Sequence, residues 1–269
     1  MKTKLAVLFT AIICCAQYVH AQTETSANAG SVKSSAQVNG YPRNNIQWNV
    51  SSLFFKNYNF SYERLIRKKI SVVASYRFMP STMLMNVPAG KKIFEKINNG
   101  ENDNLDIQQT ATSNHAVTAE VRFYSGRHPG ARGFYFSLYG RYANFKTDYP
   151  YKYTDANGQD YSIPVNTNTN GIAGGVMVGA QWIIAKRVTF DWYILGAHYG
   201  SVNGTLNGTA DLSALSKESQ QEIQDDINNF IVVGSKQYIN ATVNDHGVTG
   251  TIKGPLVGVR AGISVGIAF

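Results

Sequence analysis

Cysteine is almost missing from this chain. The two it has, Cys14 and Cys15, stand side by side in the first apolar stretch. Lys2 and Lys4 form a positive start, Leu5 to Ala16 is an apolar run, and Val19-His20-Ala21 fits the small-x-Ala pattern before a secretory cleavage site. The run is too short to cross a bilayer as a helix. Residues 1–21 are therefore expected to be a cleaved signal peptide, with Gln22 the first residue of the exported chain. A lipoprotein signal acylated at Cys14 or Cys15 is the alternative; bulky Ile13 stands where that signal wants a small residue. Removal of residues 1–21 leaves no cysteine. Disulfides, zinc–thiolate sites and cysteine nucleophiles are then excluded.

Other absences narrow the chemistry further. There is no phosphate-binding glycine-rich loop and no zinc motif, so no cofactor and no metal is expected. Asn102, Asn104 and Asp106 alternate as a calcium loop begins, but Ile107 stands where that loop needs glycine and Ser113 where it needs the closing glutamate. With Asp103, Asp225 and Asp226 they read as solvated loop groups. Charge is sparse, 16% of residues. Loss of Lys2 and Lys4 lowers the 25 basic residues to 23 against 17 acidic ones, a balance of +6. These charges are dispersed, and export argues against nucleic acid as a partner.

The 248 residues after Ala21 suit one β-barrel domain or one to two ordinary domains. Residues 22–43 are Ser, Ala, Thr, Asn and Gly with little to bury, a disordered periplasmic lead-in. From Asn44 onward the dominant period is two. Eight strands are expected: Asn44–Phe55, Tyr58–Ile66, Ile70–Met79, Asn114–Tyr124, Gly133–Phe145, Gly171–Ile183, Arg187–His198 and Pro255–Phe269. Each meets or approaches the ~9–11 residues with which a tilted strand crosses a membrane. Short connections at 67–69, 125–132 and 184–186 alternate with long ones at 80–113, 146–170 and 199–254, and only the first, Lys56-Asn57, is short where a long one is expected; this is the polarity of a barrel with short periplasmic turns and long external loops. In the last long connection Ser219 and Glu222 read as a capping box, followed by Ile223, Ile227 and Phe230 at helical spacing. A short helix is expected at 219–231, with an earlier start at Leu212 left open, and Tyr238 to Ile252 has some β character. That stretch either extends the last hairpin or adds a strand pair, so ten strands remain an alternative to eight.

Which face meets which medium follows from volume and charge. An eight-stranded barrel has an interior only just wide enough for side chains. Trp48, Phe54, Phe60, Tyr62, Tyr76, Phe78, Phe123, Phe134, Phe136, Trp182, Phe190 and Trp192 share one parity and are too bulky for it; the opposite face is richer in Gly, Ser and Ala. No expected strand has a lysine in its interior. The strand-interior charges are Glu63, Arg77, Glu120, Arg122, Arg141, Asp191 and Arg260, all on the less aromatic parity, and they suit an inward network because arginine forms forked bonds to carboxylates. Arg64 shares the aromatic parity but sits near a strand end, where a lipid-side arginine costs about 0–1 kcal/mol. The bulky face is thus expected to meet lipid.

The stretches "YERLIRKKISVVASYRF" (Tyr62–Phe78), "GGVMVGAQW" (Gly174–Trp182) and "DWYILGAHYG" (Asp191–Gly200) resemble a family of small outer-membrane β-barrels of Gram-negative bacteria, grouped loosely with OmpA-like porins. The resemblance runs from about Asn44 to Phe269. It implies an outer-membrane barrel with no established activity and supplies no catalytic residues. Phe269 resembles the C-terminal aromatic signal by which such barrels are recognised by the assembly machinery.

The expected function is therefore a structural or surface-binding barrel of the outer membrane, in contact with lipid and open to an extracellular ligand or protein through loops 80–113, 146–170 and 199–254. Tyr149, Tyr151, Tyr153 and Tyr161 in one of those loops suit adaptable recognition. Two alternatives stand beside it. One is a lipid-modifying enzyme with a rim Ser/His site at His198 and Ser201 or at His115 and Ser113. The other is a narrow pore, which an Arg/acid plug would close.

Overall fold

The computed structural model describes residues 41–87, 109–230, 232–233 and 236–269. Residues 1–40, with the expected signal peptide and most of the lead-in, lie outside the described residues. So does 88–108, with the run Asn102, Asp103, Asn104, Asp106.

Seven strands follow one another as antiparallel neighbours: β1 (Asn44–Asn49), β2 (Tyr58–Arg67), β3 (Ile70–Met83), β4 (Ala111–Tyr124), β5 (Gly133–Thr154), β6 (Asp160–Ile184) and β7 (Val188–Thr209). An insertion carries the helix α1 (Lys217–Asn228), the two-residue strands β8 (Val232–Val233) and β9 (Lys236–Gln237), and β10 (Ile239–Asn244). The last strand, β11 (Gly247–Ala268), pairs with β7 along its length, with β10 near its start and with β1 near its end. That last pairing, Asn45 opposite Ala268 through Asn49 opposite Ser264, closes an all-β ring of eight strands. The Tyr238–Ile252 stretch extends the final hairpin and adds β10 beside β11 outside the ring.

Alternation sorts the side chains as the period of two requires. Outward stand Ile46, Trp48, Phe60, Tyr76, Phe123, Phe134, Trp182, Trp192 and Ile267, all exposed. Inward stand Gln47, Glu63, Ser71, Arg122, Ser137, Gln181 and Asp191, each at most 1% exposed. The outward apolar girdle ends at a common height. Tyr142 lies opposite Ile172, and the next outward pair is Asn144 opposite Asn170, itself opposite Asn203.

Four departures from the sequence reading have physical causes. The first strand stops at Asn49 instead of running to Phe55. The Asn49 side chain accepts from Ser52 N at 2.9 Å and from Ser51 Oγ at 2.8 Å, and this turn chemistry winds Ser51–Phe55 into a 3-10 helix. Second, most of 146–170 and parts of 199–254 are strand. β5, β6, β7 and β11 have 22, 25, 22 and 22 residues, and β5 and β6 pair to Thr154 opposite Asp160 around a turn at Asp155–Gln159. Third, α1 is capped by Ser216, whose Oγ accepts from Ser219 N at 3.1 Å, so Ser219 lies inside the helix and not at its cap. Fourth, β7 carries a bulge. Val178 lies opposite Leu195 but Gly179 opposite Tyr193, and Arg260 lies opposite Gly196 but Gly262 opposite Tyr193. Ile194 is the extra residue in both pairings, and beyond it the inward parity changes from odd to even numbers.

Beyond the girdle the long hairpins have a core of their own. Tyr149, Tyr151, Ile163, Val165, Leu206 and Val248 pack with Leu212, Leu215, Ile223, Ile227 and Ile239, so α1 lies over the open side of the extended sheet. At the opposite end the turns are short. Tyr41 packs on the cluster of Leu65, Tyr124, Ala131 and Tyr135, so the chain is already held against the barrel before Asn44.

Candidate functional site

The interior is built around one arginine. Arg122, on β4, is fully buried. Its Nε donates to Glu120 Oε1 at 2.7 Å, and its Nη1 donates to Asp191 Oδ2 at 2.6 Å and to Gln181 Oε1 at 3.3 Å. Glu63 Oε2 lies 3.8 Å from the same Nη1. The guanidinium lies over the Tyr135 ring, 4.5 Å from its centroid, which accounts for an Nη2 with no hydrogen-bond acceptor. Arg260, on β11, donates to Glu120 Oε2 at 2.9 Å and stands between the rings of Tyr193 and Tyr139. Four of the seven inward charges thus join in one bonded chain, Asp191–Arg122–Glu120–Arg260, with Glu63 beside it.

Glu63 is held mainly by neutral donors. Tyr124 Oη donates at 2.6 Å and Gln181 Nε2 at 2.9 Å, with Ser71 Oγ on its other side. Gln181 also donates to Ala131 O at 2.7 Å and accepts from Gln47 Nε2 at 2.7 Å. The β4–β5 connection therefore reaches into the barrel mouth and is tied to the network. The tyrosines at 124, 135, 139 and 193, with Gln47 and Gln181, are the members that a search for charges passes over. Their inward parity was the available signal. Glycine makes room for two of them: a Cβ at Gly179 would lie 2.4 Å from Tyr135 Cζ, and one at Gly175 would lie 2.7 Å from Tyr139 Cζ.

Arg77 and Arg141 stand apart from this chain. Among the described residues no carboxylate bonds to either, and Arg77 Nε is buried without a partner. Phe269 is exposed at the short-turn end, where its N–H donates to Asn44 O at 2.8 Å and its O accepts from Asn44 N at 2.9 Å.

The residues named for a rim enzyme are not assembled as a pair at β7. The bulge at Ile194 turns His198 inward, where Tyr139 Oη lies 3.1 Å from Nδ1, and leaves Ser201 exposed on the outer face. On β4, His115 and Ser113 share the outward face, His115 exposed and Ser113 half-buried. Among the described residues no three His, Cys, Asp or Glu side chains are grouped as metal ligands.

At the long-hairpin end the tyrosines read as recognition groups are mostly structural. Tyr149 and Tyr151 are buried, and Tyr153 and Tyr161 pack against the same core. Tyr151 Oη donates to Asp226 Oδ2 at 3.0 Å and Tyr153 Oη to Glu222 Oε2 at 2.9 Å, which fastens α1 to the β5–β6 hairpin. Burial, with Asp226 beside it, pushes the Tyr151 phenol well above its ordinary value. Asp245, beyond α1, accepts from Lys217 Nζ and Gln220 Nε2, both at 2.8 Å; the Lys217 bond first, then the Gln220 bond, holds its carboxyl below the usual range. What this end presents to solvent is polar: Asn166, Asn168, Asn170, Asn203 and Asn207 on the strands, and Glu218, Gln221, Glu222 and Asp225 on α1.

Fold and interior define a class, the closed eight-stranded antiparallel barrel whose lumen is filled by an ion and tyrosine network. Beyond that class, the chain matches no family model, no curated protein and no solved structure.

Proposed function

We propose that this chain is an outer-membrane β-barrel that displays a rigid surface-binding platform. The observation that carries this reading is the second core above the girdle. β5, β6, β7 and β11 have 22–25 residues, about twice the ~9–11 that cross a bilayer, and the excess is packed around its own apolar cluster with α1 as its cover. A barrel needed only to seal itself has no use for that structure. An apolar outer girdle with a polar lumen is the arrangement that lipid demands. The resemblance of Tyr62–Phe78, Gly174–Trp182 and Asp191–Gly200 to small outer-membrane barrels and the secretory pattern at 1–21 support the same compartment.

The platform's asparagine and threonine ladders and the acidic face of α1 are suited to a polar extracellular ligand, a glycan or a protein. Thr209 lies opposite Gly247, so the insertion between them can be replaced by a short turn without breaking the β7–β11 ladder. The test tags the protein in its native outer membrane and identifies what co-purifies, beside a variant lacking residues 212–244. The reading requires a heat-modifiable band for both proteins and a partner retained only by the full chain. Recovery of the native, processed protein without detergent sinks it, as does identical co-purification by both.

A further inference from the structure

Interior charge does not balance. Among the described residues the lumen holds Arg77, Arg122, Arg141 and Arg260 against Glu63, Glu120 and Asp191, an excess of one positive charge. The excess is also localised. Glu120 is engaged by both Arg122 and Arg260, and Asp191 by Arg122, which leaves Arg77 and Arg141 with no acid among the described residues. Arg77, Arg141 and Arg260 stand close enough together for their like charges to repel one another.

These three arginines line one small cavity beneath the 3-10 turn, together with Thr118, Asn57 and Asn59. Arg141 is 8% and Arg260 4% exposed; Arg77 is half-buried, with its Nε buried and without a partner. The cavity measures about 20 Å³. A single water needs about 10–15 Å³, so the space takes one small species and excludes a bulky one. Water alone would satisfy hydrogen bonds and leave the charge; burying an unpaired charge is far more costly than burying an unpaired dipole. The carboxamide oxygens of Asn57 and Asn59, also unpartnered, are acceptors that call for guanidinium or water donors.

We propose that this cavity is a binding site for a small inorganic anion of halide size, held by Arg77 and Arg141 with Arg260 also in its wall. The anion completes the interior network and makes the folded barrel anion-dependent. The inference rests on the lumen alone and holds whatever medium surrounds the girdle.

The test uses the purified, folded full chain in a zwitterionic or non-ionic detergent. Urea midpoints are measured in sodium chloride and in sodium gluconate at one ionic strength, with ³⁵Cl line broadening as a second readout. Since a ligand of the folded state alone shifts the folding equilibrium by the factor 1 + [L]/Kd, chloride at a hundred times its Kd raises the folded-to-unfolded ratio about a hundredfold. We expect a chloride-specific rise in midpoint, and broadening that bromide competes away. Arg77→Gln and Arg141→Gln lose both responses, whereas Arg64→Gln, on the outer face, keeps them. Should either lumen variant fail to fold, the wild-type broadening and its competition still decide. Equal midpoints in chloride and gluconate with no broadening mean water only and overturn the proposal. A response to phosphate but not chloride overturns it too, as does an equal loss in Arg64→Gln.

Discussion

Replacing Arg122 by methionine tests the interior network at its centre. Methionine keeps much of the length and removes the charge. The structure sets the scale: Arg122 is fully buried, bonds two carboxylates at 2.6 and 2.7 Å, and has a third at 3.8 Å. An opposite pair at about 4 Å with an effective dielectric near 20 attracts by about 4 kcal/mol. Removing one partner of a buried pair costs about 3–5 kcal/mol, because the other charge is left without compensation. Glu120 keeps Arg260, so Asp191 is the group most exposed to the loss, and about 4 kcal/mol is expected. Part of it is recoverable. Asp191→Asn in the same chain removes the orphaned charge and leaves Tyr135 Oη an acceptor at the position it now bonds at 2.9 Å. The assay is urea unfolding in detergent followed by tryptophan emission, for wild type, both single variants and the double variant. The double variant should be more stable than the sum of the two losses by about 2 kcal/mol or more, well beyond the additivity of independent sites. A loss under about 1 kcal/mol for Arg122→Met, or additive losses, would refute the argument that this arginine neutralises the buried acids.

Three further outcomes follow from the same geometry. Gly179→Ala places a methyl 2.4 Å from Tyr135 Cζ and 2.7 Å from Trp192 O; the overpacking should cost about 1–3 kcal/mol in the same unfolding assay, while Gly158→Ala at the β5–β6 tip, where nothing lies within 4 Å of the new carbon but φ is +80°, should leave the interior network intact and affect only the turn. Trp48, Trp182 and Trp192 are 37, 43 and 38% exposed on the girdle, and brominated lipid should quench their emission strongly in vesicles; unquenched emission would count against a lipid-facing girdle. Asp245 has a lowered carboxyl value from its Lys217 and Gln220 bonds, so its contribution to docking α1 is present above the ordinary aspartate value and is lost as pH falls through the lowered one; exchange of the α1 amides, corrected for intrinsic rates, should accelerate only in that acid window, and Asp245→Asn should abolish the transition.

How much of this was legible before folding depended on contrast between faces. The girdle strands were readable because Phe134, Phe136 and Leu138 alternate with Tyr135, Ser137 and Tyr139, and because lysine avoids their interiors. The ring, the short turns and the inward parity of all seven charges follow from that alternation. It fails where both faces turn polar. Asn166-Thr167-Asn168-Thr169-Asn170 is as much β-strand as the girdle, but its inward Thr and outward Asn give no period. The stretch therefore reads as loop, and the tyrosines around it read as free when they are core. The bulge at Ile194 is invisible for a different reason: Ile194 and Leu195 are both apolar, so the slip of one residue leaves no mark in the pattern while it turns His198 from the outer face to the inner one. The anion cavity was legible as composition only. Three acids against four arginines could be counted from the sequence, but which arginines are left over depends on the pairings of Arg122 and Arg260 with Glu120.

The seam where the ring closes carries a last consequence. β1 has only 6 residues, so it pairs with β11 from Ser264 to Ala268, and β10 pairs with β11 from Gly247 to Ile252. Between them one edge of β11 faces no described strand. The odd-numbered groups of β11 point to that side: Ile263 O accepts from Val50 N at 3.0 Å, and Lys253 N donates to Tyr238 O at 2.9 Å. The amides of Val257, Val259 and Ala261 follow in the same phase, and Pro255, which has no N–H, occupies the next odd-numbered position beyond Lys253. Proline and the glycines at 254, 258 and 262 are devices that make such an edge a poor template for pairing with another chain. In the membrane proposed for this barrel an unpaired amide is costly, so this seam is where the girdle must either be covered or meet water. In detergent, hydrogen exchange separates the two phases of one strand. Gly258 and Arg260, which pair toward β7, should be protected to the level of the barrel, while Val257, Val259 and Ala261 exchange faster by about tenfold or more, the signature of local exposure without global opening. Equal protection of both sets would show the seam to be sealed along its whole length, and would remove the reason for placing proline and glycine there.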